Sequence, residues 1–300
     1  MKPAKFDFRA PGTLEAVLED LATYGEDARI LAGGQSLVPL MNLRMFQPEV
    51  LISINACPDL AIVQETDREI VIGAAVRQWD VETHPVVREH CPLLVQALKF
   101  VGGRSNRNRG TVCGSLAHSD TLAELPIVAV VLGAQMVVNG SRGRRAVAAE
   151  DFFLGPLETC IQPDEMLECV TFPKRGAGEF GHFSELGIRN HGFAVSGVGV
   201  TVRFDDRATC ADIRIAVMGG HDVAQRPSAT EQFLKGRALD DTAVEEAGRL
   251  MMAEVEMAAD IHADSDYRAS LAGTLLTRSL AVITQSKAAE GKSEAGGALQ

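Results

Sequence analysis

Residues 109–120 read RGTVCGSLAHSD, and this stretch decides how the chain as a whole is interpreted. Gly110, Thr111, Gly114 and Ser115 bring small hydrogen-bonding groups close together. Because glycine has no Cβ, neighbouring backbone amides can approach a bulky anion, and successive amides form a concave site for phosphate oxygens. The stretch therefore predicts a loop that holds a pyrophosphate in a mostly neutral pocket.

Another loop with paired glycines, Ala32-Gly33-Gly34-Gln35-Ser36, lies about 75 residues earlier, a separation longer than one βαβ unit. It follows an apolar strand, its glycines admit the same close approach, and Ser36 adds a hydroxyl. It lacks the G-x-G-x-x-G spacing of the Rossmann fingerprint. Taken alone, this first loop is more typical of a plain strand-to-helix turn.

Chemically active residues around the second loop have competing interpretations. The carboxylates of Asp120 and Glu124 can accept hydrogen bonds from ribose hydroxyls, or they can be a surface charge and a helix cap. Cys113 could be a nucleophile with His118 as its base. A small residue lining a cofactor loop is the simpler interpretation of Cys113, and we assign no catalytic residue in this chain.

Composition and charge exclude several classes of function. A net charge of −11 argues against nucleic acid as a partner, because phosphate binding needs clustered Lys and Arg. The longest apolar run, residues 125–134, is too short to cross a bilayer. The N-terminus also lacks the apolar stretch of a signal peptide, so we expect no membrane insertion and a cytoplasmic protein. The six cysteines form no C-x-x-C pair, and no metal is expected in this chain.

Hydrophobic periodicity predicts α+β domains rather than a regular doubly wound sheet. The chain opens as β-α-β, with a helix capped by Thr13 and ended at Gly25. Residues 60–63 are expected to form a strand, and residues 102–120 a long stretch without regular structure.

A change of composition at residues 174–179, KRGAGE, predicts a domain boundary. Three antiparallel strands are expected beyond it, followed by a helix opened by the capping box Ser228-Ala229-Thr230-Glu231 and a last helix ending near Ile283. The predicted domains are residues 1–176, in two parts of about 1–55 and 56–176, then residues 177–285, then a flexible tail at 286–300.

Together the two loops resemble those of the FAD-binding medium subunit of the molybdenum hydroxylases, the family of the xanthine, carbon monoxide and nicotine dehydrogenases. The matching stretches are Ala32 to Ser36, Thr111 to His118, and Asp120 with Glu124-Leu125-Pro126. The separation of the loops points to two subdomains that share one ligand. The resemblance spans residues 6–283. It implies an α+β fold, with a two-part FAD-binding domain of the PCMH type followed by a smaller C-terminal domain of a three-stranded antiparallel sheet plus helices.

The resemblance also implies a set of residues around FAD, with both loops holding the pyrophosphate. Val101 would lie near the flavin or adenine, Glu124 near the ribose, and Phe193 near the isoalloxazine ring, where a core aromatic is the rival interpretation. The implied cofactor-binding residues are Ala32, Gly33, Gly34, Gln35, Ser36, Val101, Thr111, Cys113, Gly114, Ser115, Asp120, Glu124, Leu167 and Phe193.

The sequence departs from the family pattern at three places. Cys113 replaces the first glycine of the family's Thr-x-Gly-Gly-Ser. Ser184-Glu185 stands where a lysine often follows the strand near Phe183. The stretch Arg189 to Ala194 lacks the aspartate of the family's Arg-x-Gly-Asp-aromatic-Ala, so access of the electron acceptor is expected to differ.

The function implied by the resemblance is an electron relay. FAD in this chain would connect a small [2Fe–2S] subunit to an external acceptor, while a large molybdopterin subunit hydroxylates a small substrate such as an N-heterocycle, carbon monoxide or an aldehyde. The subunits would assemble as a dimer of heterotrimers. Two alternatives stay open: a stand-alone FAD-dependent oxidoreductase with His191 or His221 as its base, and a non-catalytic nucleotide-binding assembly module.

Overall fold

The computed structural model describes residues 2–189, 192–219 and 222–297, with side chains described up to residue 290. The candidate bases His191 and His221 lie outside the described residues. The strands are β1 Asp7–Arg9, β2 Ala28–Leu31, β3 Val50–Ser53, β4 Val63–Glu65, β5 Glu69–Gly73, β6 Gln135–Gly140, β7 Gly143–Ala148, β8 Phe153–Gly155, β9 Glu158–Thr159, β10 Glu165–Pro173, β11 Glu179–Gly187, β12 Ala194–Phe204 and β13 Cys210–Met218.

Helices connect and cover these strands, and two single 3₁₀ turns lie at Gly25–Asp27 and Pro58–Leu60. The α-helices are α1 Leu14–Tyr24, α2 Leu37–Asn42, α3 Gln78–Thr83, α4 Pro85–His90, α5 Pro92–Leu98, α6 Arg104–Arg107, α7 Val112–His118, α8 Glu124–Leu132, α9 Ala149–Phe152, α10 Ser228–Leu234, α11 Asp241–Glu254 and α12 Ser265–Gly297.

The chain divides into two compact units. One unit contains residues 1–120 and 133–174, and the other contains residues 121–132 and 175–300. The helix α8 thus belongs to the later unit, although its sequence position lies inside the earlier one. The mixed helix-and-sheet architecture confirms the predicted α+β class.

The earlier unit is built on two sheets. A small parallel sheet has the order β1-β3-β2, and a larger antiparallel sheet has the order β4-β5-β10-β6-β7. The first helix forms as predicted, because the Thr13 hydroxyl accepts from the Ala16 amide at 3.3 Å and Gly25 ends the helix with a positive φ. Val17 and Leu21 of α1 are buried, a burial that contributes about 1.5–3 kcal/mol per side chain.

Two local expectations in this unit are wrong. Residues 60–63 are not one strand, because Pro58 starts a 3₁₀ turn and β4 begins only at Val63. The Leu60 carbonyl instead accepts from the Ala75 amide at 2.8 Å. The stretch 102–120 is not irregular, since it contains α6 and α7.

Tertiary burial explains the helix α7 within a glycine-bearing stretch. Thr111 caps the helix, its hydroxyl accepting from the Gly114 amide at 2.9 Å. Val112, Cys113 and Leu116 are buried on one side of the helix. Packing of this apolar side outweighs the low helix propensity of Gly114, which costs about 1 kcal/mol.

The later unit contains the predicted three-stranded antiparallel sheet, in the order β11-β12-β13. Residues 194–202 of the central strand β12 are all buried. An ideal Cβ at Gly199 would lie 3.4 Å from Val131 of α8, which shows that this helix covers one face of β12. A strand covered on both faces is buried throughout, instead of alternating between buried and exposed residues.

The helix starts in this unit differ from the sequence expectation. The prediction of a capping box formed by Ser228 and Glu231 is wrong, since α10 begins at Ser228 without a side-chain cap. The amides of Ala229 and Thr230 donate instead to the Glu254 carboxylate of α11, at 2.7 and 2.9 Å. The Glu231 carboxylate instead accepts a hydrogen bond from the Ile215 amide of β13, at 2.7 Å. The last helix starts at Ser265 and runs on to Gly297, well past the predicted end near residue 283.

Candidate functional site

The two glycine loops lie in direct contact within the earlier unit. A Cβ at Gly33 would overlap the Arg109 carbonyl oxygen and lie 2.6 Å from the Gly110 Cα. An ideal Cβ at Gly114 would lie 3.9 Å from the Ala32 Cβ. The fold therefore brings together two loops that are far apart in the sequence, and Gly33 is required for their backbone-to-backbone packing.

The first loop connects β2 with α2. Gly34 has a φ of +72°, a left-handed conformation that favours glycine. The Gln35 side-chain amide donates to the Gly33 carbonyl at 3.2 Å. Ser36 stands at the start of α2 and makes no side-chain capping bond, so its hydroxyl is not committed to holding the helix.

The second loop is firmly anchored at its helical part. Thr111 is buried and its hydroxyl caps α7, so this hydroxyl serves the protein itself. The Cys113 thiol donates to the Ile72 carbonyl at 3.5 Å and is 2% exposed. Burial raises the pKa of this thiol far above its usual range. Cys113 is thus a core residue without the thiolate character of a nucleophile.

His118 closes α7 and is half-buried. Burial lowers the pKa of its imidazole, and the nearby Asp120 carboxylate acts in the opposite direction. The neutral imidazole is therefore favoured. The Cys113 thiol donates its proton to the Ile72 carbonyl and not to His118.

A cavity of about 350 Å³ lies beside the loops. This volume is within the range of small-molecule sites, which are mostly apolar with a few polar groups. Arg29, Thr159, Gln162 and Glu165 add polar groups to its wall. Its apolar and small lining residues include Ile30, Ala32, Cys113, Gly114, Ala117, Met166 and Leu167. Small residues from both loops at the wall of an apolar cavity fit a ligand with a flat ring next to a phosphate group, such as FAD.

The remaining predicted residues are distributed over both units. In the earlier unit, the Val101 carbonyl accepts from the Arg107 guanidinium at 3.2 Å, Ser115 lies half-buried within α7, and Asp120 follows α7. In the later unit, Glu124 is the first residue of α8, and Phe193 is 72% exposed just before β12. The exposed ring of Phe193 is not a core aromatic.

Glu185, one of the three places where the sequence departs from the expected pattern, is a half-buried carboxyl of the later unit. Burial and the charge of Glu124 raise the pKa of Glu185 to about 8. Its Oε2 is buried and has no hydrogen-bond partner among the described residues. The neutral carboxylic acid is therefore favoured at this position near neutral pH.

Two residues that the sequence did not single out as site residues connect the loops. The Asn55 side-chain amide donates to the Leu31 and Ala32 carbonyls at 3.3 and 3.0 Å. The Arg77 guanidinium donates to Asn55 Oδ1 at 2.5 Å and to the Arg109 carbonyl at 2.6 Å. Asn55 had one usable signal, since polar residues following neighbouring parallel strands meet at one edge of a sheet.

Gln78 holds the second loop from the other side. Its backbone amide donates to the Gly110 carbonyl at 2.8 Å, and its buried side chain donates to the Thr111 carbonyl at 3.4 Å. An isolated antiparallel bridge joins Arg77 and Thr111. No motif marks Arg77 or Gln78 in the sequence, because their roles depend on where α3 begins relative to the loop.

Comparison with protein families decides which class of protein builds this site. The model of the FAD binding domain in molybdopterin dehydrogenase matches residues 4–175, and that of the CO dehydrogenase flavoprotein C-terminal domain matches residues 181–283. This chain belongs to the molybdopterin dehydrogenase flavoprotein family. The match confirms the sequence prediction of a FAD-binding subunit of a molybdenum-containing dehydrogenase.

Similar proteins extend over nearly the whole chain. Subunit alpha of the 6-hydroxypseudooxynicotine dehydrogenase complex of Paenarthrobacter nicotinovorans is 34% identical, over 94% of this chain and 95% of its own length. The carbon monoxide dehydrogenase medium chain of Hydrogenophaga pseudoflava is also 34% identical, over 93% and 97%. The caffeine dehydrogenase subunit beta of Pseudomonas sp. strain CBB1 is 33% identical, over 94% and 95%.

Solved structures show the same fold. Carbon monoxide dehydrogenase from Hydrogenophaga pseudoflava superposes with a TM-score of 0.92 at 35% identity, covering 95% of this chain and 99% of the matched chain. Quinoline 2-oxidoreductase from Pseudomonas putida 86 gives a TM-score of 0.91 at 33% identity, with the same coverage. Across the described ranges, no helix combines the length and apolar character needed to cross a bilayer.

Proposed function

We propose that this chain binds FAD between its two glycine loops and relays electrons through it, as the medium subunit of a heterotrimeric molybdenum hydroxylase. The observation that carries the proposal is the contact of Gly33 with Arg109 and Gly110 beside an apolar cavity. FAD takes electrons singly or in pairs, and can therefore join one-electron carriers to a two-electron acceptor.

The residues of this chain bind and orient the cofactor rather than react themselves. We propose that the backbone amides of Ala32 to Ser36 and of Thr111 to Ser115 hold the pyrophosphate. Leu167 packs against the cofactor from the cavity wall. Asp120 and Glu124 accept hydrogen bonds from ribose hydroxyls. Val101 lies close to the flavin or adenine, and Phe193 presents its exposed ring to the isoalloxazine.

The assembly proposed is a large molybdopterin subunit and a small [2Fe–2S] subunit with this chain, as a dimer of heterotrimers. Two relatives are named as a medium chain or as a subunit of a larger complex, which supports a multi-subunit protein. A cytoplasmic location is proposed because the six cysteines are free thiols, as in a reducing compartment. The matched ranges 4–175 and 181–283 support a domain boundary near residue 176 and an end of the second domain near residue 285, within α12.

The substrate proposed is a small molecule oxidised on the molybdopterin subunit, either an N-heterocycle, carbon monoxide or an aldehyde. Relatives named for nicotine derivatives, caffeine, carbon monoxide and glyceraldehyde support this range. The cavity of this chain is adjacent to the cofactor loops and is assigned to FAD. The binding residues for the substrate are therefore expected on the partner subunit.

The visible spectrum of the purified chain, followed by denaturation and identification of the released flavin, tests the proposal. We expect a yellow protein that releases about one FAD per chain. A colourless protein that also fails to bind added FAD would contradict the proposal and favour a nucleotide-binding assembly module. Rapid reduction of the isolated chain's flavin by small substrates alone would instead favour a stand-alone oxidoreductase.

A further inference from the structure

We propose that Arg77 and Asn55 form a clip that fixes the two glycine loops relative to each other and thereby sets the affinity of the chain for FAD. This inference rests on the proposed function, since it concerns the same site. Arg77 and Asn55 are positioning residues in this proposal, because they act through the loops rather than on the cofactor.

The clip is a continuous chain of hydrogen bonds. Asn55 follows β3 and donates through one side-chain nitrogen to the carbonyls of Leu31 and Ala32, at 3.3 and 3.0 Å. Its Oδ1 accepts from Arg77 Nη2 at 2.5 Å. Arg77 Nη1 donates to the Arg109 carbonyl at 2.6 Å. The last strand residue before the first loop is thus connected to the first residue of the second loop.

Arg77 is itself held on the side of the second loop. Its backbone pairs with Thr111 in an isolated bridge, and the amide of the next residue, Gln78, donates to the Gly110 carbonyl. The side-chain path from this anchored position to the first loop runs through Asn55. The loops also meet at Gly33, but a contact between glycine backbones offers no side chain to lock their separation.

A fixed separation matters because both loops must present amides to one ligand. Each loop contains glycines, whose backbone has more conformational freedom than that of other residues. Ordering such loops upon ligand binding costs conformational entropy. A clip that orders them beforehand reduces this cost and raises the affinity.

The guanidinium of Arg77 offers a competing explanation for the same site. A cation half-buried next to the loops could attract the pyrophosphate directly, whether or not it positions the loops. The two explanations make opposite predictions for Asn55, which has no charge, and for lysine at position 77, which keeps the charge but lacks the planar fork that reaches two acceptors.

The test is titration of FAD into the full-length chain freed of cofactor, with quenching of flavin fluorescence as the readout. The variants are Arg77→Met, Arg77→Lys, Asn55→Ala and the double variant Arg77→Met with Asn55→Ala. We expect each single variant to bind FAD about tenfold more weakly, the loss typical of one charge-assisted hydrogen bond. The double variant should be no weaker than the single ones, because the clip is broken once in each.

The matched control is Arg68→Met, which removes an exposed arginine from the turn between β4 and β5 and should leave the FAD affinity unchanged. Wild-type affinity for Asn55→Ala and Arg77→Lys, with a loss only for Arg77→Met, would overturn the clip in favour of direct charge attraction. Additive losses in the double variant would overturn it as well. Should Arg77→Met fail to fold, two milder variants still distinguish the clip from direct charge attraction. They are Asn55→Ala, at an exposed position, and the conservative Arg77→Lys. Absence of FAD binding by the wild-type chain would contradict the proposed function instead.

Discussion

The Cys113 side chain lies in the core although the residue stands inside a glycine-bearing cofactor loop. Its thiol points to the Ile72 carbonyl, and both Cys113 and the next residue, Gly114, line the cavity beside the loops. The hydrogen bond to Ile72 directs the thiol into the core, and burial suppresses its reactivity.

Glu185 is a carboxyl group whose protonation should respond to pH in the neutral range. Its pKa in the folded chain is about 8, above its ordinary value of 4.5, because of burial and the charge of Glu124. A raised pKa means that the folded state holds a proton that the unfolded state releases. The stabilising contribution is present below pH 4.5 and is lost as the pH rises toward 8.

Replacing Glu185 by glutamine should remove this dependence. Between pH 5 and 8 the wild type should lose stability relative to Glu185→Gln, because only the wild type has to take up a proton on folding or bury a charge. Urea unfolding at several pH values measures the difference, with the exposed Glu19→Gln as control. Parallel stability profiles for wild type and Glu185→Gln would contradict the raised pKa.

At the scale of elements, a buried ion pair holds the turn before the second loop. Arg107 of α6 donates to the Glu82 carboxylate of α3 at 2.7 Å, with the two side chains 9% and 10% exposed. The same guanidinium donates to the carbonyls of Val101 and Gly102 at 3.2 and 2.8 Å. This one side chain thus fixes the 101–103 turn, in which Val101 is a proposed cofactor contact.

Removing this arginine should destabilise the chain strongly. Arg107→Met leaves Glu82 as an uncompensated buried charge, and we expect a loss of about 3–5 kcal/mol in the free energy of unfolding. Glu82→Gln keeps an acceptor for the guanidinium and should cost less. Equilibrium denaturation measures both, with Arg68→Met as a surface control. Equal stability of Arg107→Met and Arg68→Met would show that the pair is not structurally important.

At the scale of the whole molecule, bound FAD should raise the free energy of unfolding of this chain. A ligand that binds only the folded state stabilises it by about 2.7 kcal/mol at a concentration of 100 times its Kd. Because the two loops come from distant parts of the chain, the site exists only when the earlier unit is folded. FAD binding and folding of that unit are therefore linked.

Removal of FAD should lower the midpoint of thermal unfolding, and adding it back should restore the midpoint in a concentration-dependent way. Riboflavin is the matched control, since it has the isoalloxazine ring but no pyrophosphate for the loops to hold. A thermal shift measurement distinguishes the two ligands. Equal shifts with riboflavin and FAD would contradict a site centred on the pyrophosphate.

The sequence by itself determined the composition of the two loops, the cap and end of α1, the three-stranded sheet of the later unit and the family. These features depend on local hydrogen bonds, on periodicity and on short motifs, which are present in the chain before it folds. Local patterns failed where a distant partner intervened: Glu254 caps α10 in place of Ser228, and burial of one face makes α7 helical around Gly114.

Only the tertiary structure decided that the loops touch at Gly33, that Arg77 and Asn55 join them, and that α8 with Glu124 belongs to the later unit. Each of these depends on the meeting of elements that lie tens of residues apart in the sequence. Their hydrogen bonds and their shielding from water arise only from packing, and no local pattern of residues encodes which elements will meet.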